Sequence, residues 1–237
     1  MVALLRLGAL YILFLICFVI GSLPVANALP DGAASEPGLV APAAPDLASL
    51  AESGKLTVFN RAVSKIVDGS RQGVHMNERE NDGVAYVPRL ELANGTIEID
   101  IRGKDAPQQS FVGVAFHGVD GTTYDAVYFR PFNFRTDDQA RRIRAVQYVS
   151  HPAYPWQKLR ADTPGKYEKG IDPPPDPNAW FHARIVIASP KVSVYVGGAT
   201  QPSLVVDQLS ARGKGQVGVW VGNTSGGDFA NLRVTPA

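Results

Sequence analysis

From Lys55 onward, apolar residues recur at every second position in short runs, and Gly, Asn-Gly or Asp-Gly steps separate the runs. Strand side chains alternate between two faces, so this texture predicts half-buried strands joined by tight turns. Thirteen strands are expected, at 55–60, 62–67, 73–77, 84–88, 96–102, 110–117, 123–130, 143–149, 180–188, 191–197, 203–208, 216–222 and 228–234. None of these segments carries a helical period. The pattern therefore predicts an all-β fold, an antiparallel two-sheet sandwich formed by one domain over 54–237. A chain of about 180 residues buries roughly 70% of its unfolded surface, enough for one core.

The same alternation sorts faces. In 96–102, Ile97, Ile99 and Ile101 are expected inside, with Glu98, Asp100 and Arg102 outside. Tyr128 and Arg130 are expected outside beside an inward Val127 and Phe129. The strand at 180–188 should bury Phe181, Ala183, Ile185 and Ile187 and expose Trp180, His182 and Arg184. Near the end, Val217, Val219 and Val221 point in, which leaves Gln216, Gly218 and Trp220 out. Rings and guanidinium groups at these outward positions are expected to gather on one decorated sheet as a shared ligand face, since flat aromatic groups stack on sugar rings and arginine offers a fork of donors. The strand at 191–197 exposes only Lys191, Ser193 and Tyr195 and is expected on a plainer sheet.

One stretch interrupts the rhythm. Ser150 to Ala179 holds seven prolines and the rings of Tyr154, Trp156 and Tyr167. Long irregular segments in compact domains tend to be functional. It is expected to be either an ordered flap over an edge or face of the sandwich, or a plug whose rings close one end.

The first 28 residues read as an export signal: Arg6, an apolar run from Leu7 to Leu23, Pro24, then Ala26-Asn27-Ala28 as a cleavage site. The alternative is an uncleaved membrane anchor. In both cases the remainder is expected outside the cytoplasm, secreted or periplasmic, and after cleavage no membrane association is expected. Residues 29–53 are an Ala/Pro-rich linker, with a short helix expected at 46–53, capped by Asp46 and stopped by Gly54. Cys17, the one cysteine, lies in the signal, so the rest of the chain can form neither a disulfide nor a thiolate site. Without Arg6 the counts of Lys+Arg and Asp+Glu are both 22, which argues against a nucleic-acid partner. Arg141, Arg142 and Arg144 read as a solvated strand end.

Candidate chemistry centres on Glu98 and Asp100. Two positions apart on one strand, their Cα atoms stand roughly 6.6 Å apart at about 3.3 Å per residue. Paired carboxyl groups about 5–5.5 Å or roughly 6.5–9.5 Å apart serve the two routes of glycoside hydrolysis. Arg102 beside Asp100 favours the ionised form and opposes proton donation. His182 and His117 are the other acid/base candidates. The four histidines (75, 117, 151 and 182) lack metal-ligand spacing. No metal and no cofactor is expected.

The runs Asn94-Gly95-Thr96-Ile97-Glu98-Ile99-Asp100-Ile101-Arg102-Gly103 and Phe111-Val112-Gly113-Val114-Ala115-Phe116-His117 resemble the concanavalin A-like lectin/glucanase superfamily. So do Tyr128-Phe129-Arg130-Pro131-Phe132-Asn133-Phe134-Arg135 and Trp220-Val221-Gly222-Asn223 followed by Asp228-Phe229-Ala230-Asn231-Leu232. Over roughly 55–235 the pattern is most similar to the branch named for 3-keto-disaccharide hydrolases. The resemblance implies a jelly-roll sandwich of the concanavalin A-like or laminin G-like kind, and a carbohydrate ligand. Phe111-Val112-Gly113 stands where that branch carries Asn-Ser-Gly, so no catalytic residue is transferred. Glu98-Ile99-Asp100 is also similar to the catalytic strand of laminarinase-type glycosidases, but Arg102 replaces their second glutamate.

The sequence thus predicts an exported carbohydrate-interacting sandwich, with cleavage of (3-keto-)glycosides as its enzymatic form. Glu98, Asp100 and His182 are the catalytic candidates. Arg102, Tyr128, Arg130, Asn133, Trp156, Trp180 and Arg184 are the substrate-binding ones. The alternatives are a non-catalytic module for an envelope polymer or a partner protein, and a structural envelope protein. Oligomeric state is not encoded in the pattern.

Overall fold

The computed structural model describes residues 42–237. The signal-like segment 1–28, Cys17 and the linker as far as residue 41 lie outside the described residues. Helix α1 (Leu47–Glu52) begins where Asp46 accepts a hydrogen bond from the Ser49 N–H at 3.0 Å, and Gly54 at φ 64° follows its end. The strands after it are β1 (Thr57–Phe59), β2 (Val63–Asp68), β3 (Arg71–Met76), β4 (Gly83–Leu92), β5 (Gly95–Arg102), β6 (Val112–Gly118) and β7 (Tyr124–Phe129). Helix α2 (Gln139–Arg142), β8 (Val146–His151), helix α3 (Trp156–Asp162) and β9 (Glu168–Lys169) come next. The chain closes with β10 (Phe181–Ala188), β11 (Lys191–Val196), β12 (Leu204–Asp207), β13 (Gly215–Val221) and β14 (Gly227–Pro236).

The strands pair antiparallel into two seven-stranded sheets. The first runs β1-β4-β13-β6-β7-β8-β9 and the second β12-β11-β10-β5-β14-β3-β2. Every expected strand overlaps an observed one. The start of 143–149 is the exception in detail: Asp138 caps α2 by accepting from Ala140 and Arg141, so strand geometry begins only at Val146.

The core lies between the sheets. Ile97, Ile99 and Ile101 of β5 are fully buried, as are Val112, Val114, Val127 and Phe129 of the facing sheet. Phe129 meets Phe181 across the interface with ring centroids 5.0 Å apart, edge to face, and Phe134 meets the same ring at 5.3 Å. Each such side chain contributes roughly 1.5–3 kcal/mol by leaving water.

The second sheet alternates along β5 and β10, buried inside and part-exposed outside. The first does not, because β6 and β7 are buried at every position. The proline-rich segment supplies a cover along one edge. Its β9 pairs with β8, Val146 facing Lys169 and Gln147 facing Glu168. Leu159, Tyr167 and Ile171 are buried. Glu168, 5% exposed, accepts from Arg160 at 3.0 and 2.7 Å and from Arg130 at 3.4 Å. Arg130 also donates to the Tyr128 hydroxyl, to Gln147 and to the Arg144 carbonyl.

This corrects two expectations. Tyr128, Arg130 and Trp220 do point away from the core, but their face is closed over. Trp220 and Tyr128 pack with centroids 5.0 Å apart on either side of Gly113, where an added Cβ would come within 2.2 Å of the Val127 carbonyl oxygen. In addition, β11 is not on a separate plain sheet; it lies beside β10 in the second one.

Replacing Glu168 with Ala leaves the buried Arg130 guanidinium without its carboxylate. The expected cost is about 3–5 kcal/mol, read as a lower urea midpoint at unchanged slope.

Candidate functional site

Because β5 is the middle strand of its sheet, each of its outward residues has a neighbour on both sides. On one flank β10 sets His182 opposite Asp100 and Arg184 opposite Glu98. On the other, β14 sets Asp228 opposite Arg102 and Arg233 opposite Glu98, and β3 adds His75 opposite Asp228. Asp100 is the hub. Its Oδ1 lies 3.0 Å from His182 Nδ1, while Oδ2 accepts from Asn231 Nδ2 at 2.8 Å and Arg71 Nε at 3.1 Å. His182 Nε2 is 3.7 Å from Glu98 Oε1, so the imidazole stands between the two carboxylates and is hydrogen-bonded to Asp100.

These contacts set the charge states. Burial works to raise the Asp100 carboxyl, but hydrogen bonds from His182, Asn231 and Arg71 outweigh it and hold it below the usual carboxylate range. Asp228 behaves alike: burial is outweighed by His75, 2.7 Å away, and by Arg102. Reciprocally, the hydrogen bond to Asp228 raises the His75 imidazole against the effect of burial.

A bulge shapes the rest of the face. The β14–β5 register shifts between Ala230 and Arg233, and Asn231 takes φ 54°, a conformation asparagine tolerates better than most residues. Asn231 and Arg233 are both exposed as a result. A cavity of about 610 Å³ lies over this part of the sheet, lined by Ser70, Gln72, Glu98, His182, Asn231 and Arg233. Ala44 to Leu47, the lead into α1, form its wall.

The structure therefore brings together Glu98, Asp100 and His182. Arg102 shares their face but is committed to Asp228 at 2.7 Å and Asp68 at 2.6 Å. Trp180 donates to Asp68 at 2.7 Å, with Arg102 4.9 Å and Arg71 5.6 Å from its ring centre. Its faces are therefore partly taken by cations. Arg184 stacks on Tyr195 at 3.7 Å. Tyr128, Arg130 and Asn133 are not on this face. They are buried, and Asn133 is spent on the Arg144 carbonyl and on Arg141. Trp156 stands apart on α3, 40% exposed and stacked with Arg160 at 4.8 Å. His117, the other acid/base candidate, is buried; it lies 3.6 Å from Asp125 and touches Gln208 and the Ala93 carbonyl.

Arg71, His75, Asp228, Asn231 and Arg233 were not among the expected site residues. Asn231 had a visible signal, an asparagine inside a strand pattern. Arg71 and His75 had none, because only strand pairing brings β3 near β5.

Among the described residues no group of three or more His, Cys, Asp or Glu could hold a metal ion, and no helix is long and apolar enough to cross a membrane.

These features define an antiparallel two-sheet β-sandwich with an open polar face. No family model matches the chain, and no curated protein matches its sequence. Its fold is similar to that of a carbohydrate binding module, CBM66, from Bacillus subtilis, at TM-score 0.51 and 14% identity, covering 73% of this chain and 94% of that one. It is also similar to a protein of unknown function with a galectin-like fold from Bacillus subtilis, at TM-score 0.55 and 13% identity, covering 80% and 93%. Both likenesses are likenesses of fold.

The raised His75 imidazole fixes a sign for pH dependence. Its contribution to stability is complete below the unfolded value of about 6.5 and is lost as pH rises through the folded value. Melting temperatures measured across neutrality should fall more steeply in the native protein than in His75→Gln.

Proposed function

We propose that this is an exported carbohydrate-binding domain of the concanavalin A-like kind, whose ligand occupies the cavity on the outer face of the second sheet. The cavity carries the proposal. Its lining mixes donors and acceptors, namely Ser70, Gln72, Glu98, His182, Asn231 and Arg233, as sugar hydroxyl groups require. The fold supports the same reading, since a protein described as a carbohydrate binding module shares it. Export rests on the signal-like segment at residues 1–28.

Binding is favoured over cleavage on a chemical ground. Glycoside hydrolysis needs a carboxyl group held protonated, whereas Asp100 is held ionised by three donors. Glu98 remains as an acceptor at the cavity edge, with His182 beside it.

A glycan array followed by calorimetry tests this. Glu98→Gln, His182→Ala and Asn231→Ala should each weaken sugar binding about tenfold or more, the cost of a hydrogen bond to a charged or well-placed group, with the melting transition intact. Incubation with ordinary and 3-keto glucosides should release no sugar. Turnover would replace this reading with a hydrolytic one, and absence of binding to any glycan would remove both.

A further inference from the structure

Asp100 decides which atoms its neighbours turn toward the cavity. An ionised carboxylate only accepts hydrogen bonds. Three donors surround this one: His182 Nδ1 lies 3.0 Å from Oδ1, while Asn231 Nδ2 and Arg71 Nε reach Oδ2 at 2.8 and 3.1 Å. Two orientations follow. His182 has to carry its proton on Nδ1, so that Nε2 of the neutral ring keeps a lone pair. Asn231 has to turn its NH2 group to Asp100, which leaves its Oδ1 as an acceptor.

Glu98, His182 and Asn231 all line the cavity of about 610 Å³. The side chains of His182 and Glu98 are 42% and 35% exposed, so a ligand can reach them. His182 Nε2 and Glu98 Oε1 stand 3.7 Å apart, beyond the roughly 2.7–3.2 Å of a direct hydrogen bond. The pair therefore shares no proton, and each atom acts as an acceptor. This part of the cavity asks its ligand for donors.

The spacing narrows the choice of donor. A hydroxyl group carries one proton, so two acceptors call for two hydroxyl groups. Acceptors 3.7 Å apart suit hydroxyl groups on neighbouring carbons, which staggered rotation can hold close together. An ammonium group would also donate, but Arg184 faces Glu98 from β10 and Arg233 faces it from β14. Two guanidinium groups beside one carboxylate repel a further cation. Asp46, on the cavity wall, is turned to Ser49, accepting from its N–H at 3.0 Å and its hydroxyl at 2.6 Å.

We propose that Asp100 is a positioning residue that holds His182 in the Nδ1–H tautomer, and that His182 Nε2 and Glu98 together accept from two adjacent hydroxyl groups of a neutral sugar. This deepens the carbohydrate reading of the cavity and rests on it.

Two measurements on the intact protein test it. Nitrogen-15 spectra of the histidine rings tell the two neutral tautomers and the charged ring apart, and loss of a signal in His182→Gln assigns the residue. With no ligand at neutral pH, His182 should carry its proton on Nδ1. A proton on Nε2 alone, or on both nitrogens, overturns the proposal. Asp100→Asn offers Nδ1 an amide N–H in place of the carboxylate. It should move the proton to Nε2 and weaken sugar binding about tenfold or more. An unmoved proton or undiminished binding in the folded variant overturns the proposal.

The second measurement is a titration with methyl glucoside, methyl galactoside and methyl mannoside, then with the mono-O-methyl ethers of whichever binds most tightly. Ethers at two neighbouring positions should each lose about tenfold or more, since each removes one donor proton. This arm and the native spectrum decide the matter if Asp100→Asn does not fold. Losses at no adjacent pair of positions, or tighter binding of methyl glucosaminide than of the neutral sugars, overturn the inference and leave the sugar site standing. Failure of all three sugars to bind the native protein also overturns it; the carbohydrate reading falls with it only if the glycan array is blank as well.

Discussion

Ile97, Ile99 and Ile101 point from the middle strand of the second sheet into the interior, and the other side of that strand follows from their position. A strand cannot bury one set of side chains without presenting the alternate set. With the three isoleucines locked against the facing sheet, Glu98, Asp100 and Arg102 are held outward at fixed spacing on a rigid support. The flanking strands β10 and β14 then decide what each one meets. The polar face is thus the reverse side of the hydrophobic core, and its precision comes from the packing beneath it.

On that face the charges answer one another. Asp100 is shared by His182, Asn231 and Arg71; Asp228 by His75 and Arg102; Asp68 by Arg102 and Trp180. Part-exposed pairs of this kind add little to stability one by one. Their effect is orientation, since Asp100, Asp228 and Arg102 are each tied at two or more atoms. A surface that satisfies its own charges has little pull on an ion. It meets a neutral, hydroxyl-rich ligand with groups already aimed.

How far this could be read in the sequence depended on the range of the interaction involved. Period two is a local property, and it assigned the faces of β5 and β10 correctly, from Ile97 and Glu98 to Phe181 and His182. It also turned Tyr128, Arg130 and Trp220 away from the core, but they lie on the other sheet from Glu98 and His182 and not on the one shared face expected. Solvent is not local, however. Tyr128 and Arg130 are sealed by Glu168 and Arg160 from the proline-rich segment, and nothing in the pattern around Tyr128 announces that. The partners of Asp100 illustrate the same limit, because His182 and Asn231 lie 82 and 131 positions away. Their meeting is a matter of strand order, which periodicity does not carry. The bulge at Asn231 adds to this, because it breaks the alternation used to sort faces.

The entry of the chain into the sandwich has a mechanical side. Ala43 and Val234 exchange two backbone hydrogen bonds, each 2.8 Å long, and the next residues form the wall of the cavity. Force drawn along the backbone at that point would load this short pairing ahead of any full-length strand. The wall would part while the sheets stayed whole, so occupancy of the recess and tension on the lead-in segment are physically linked.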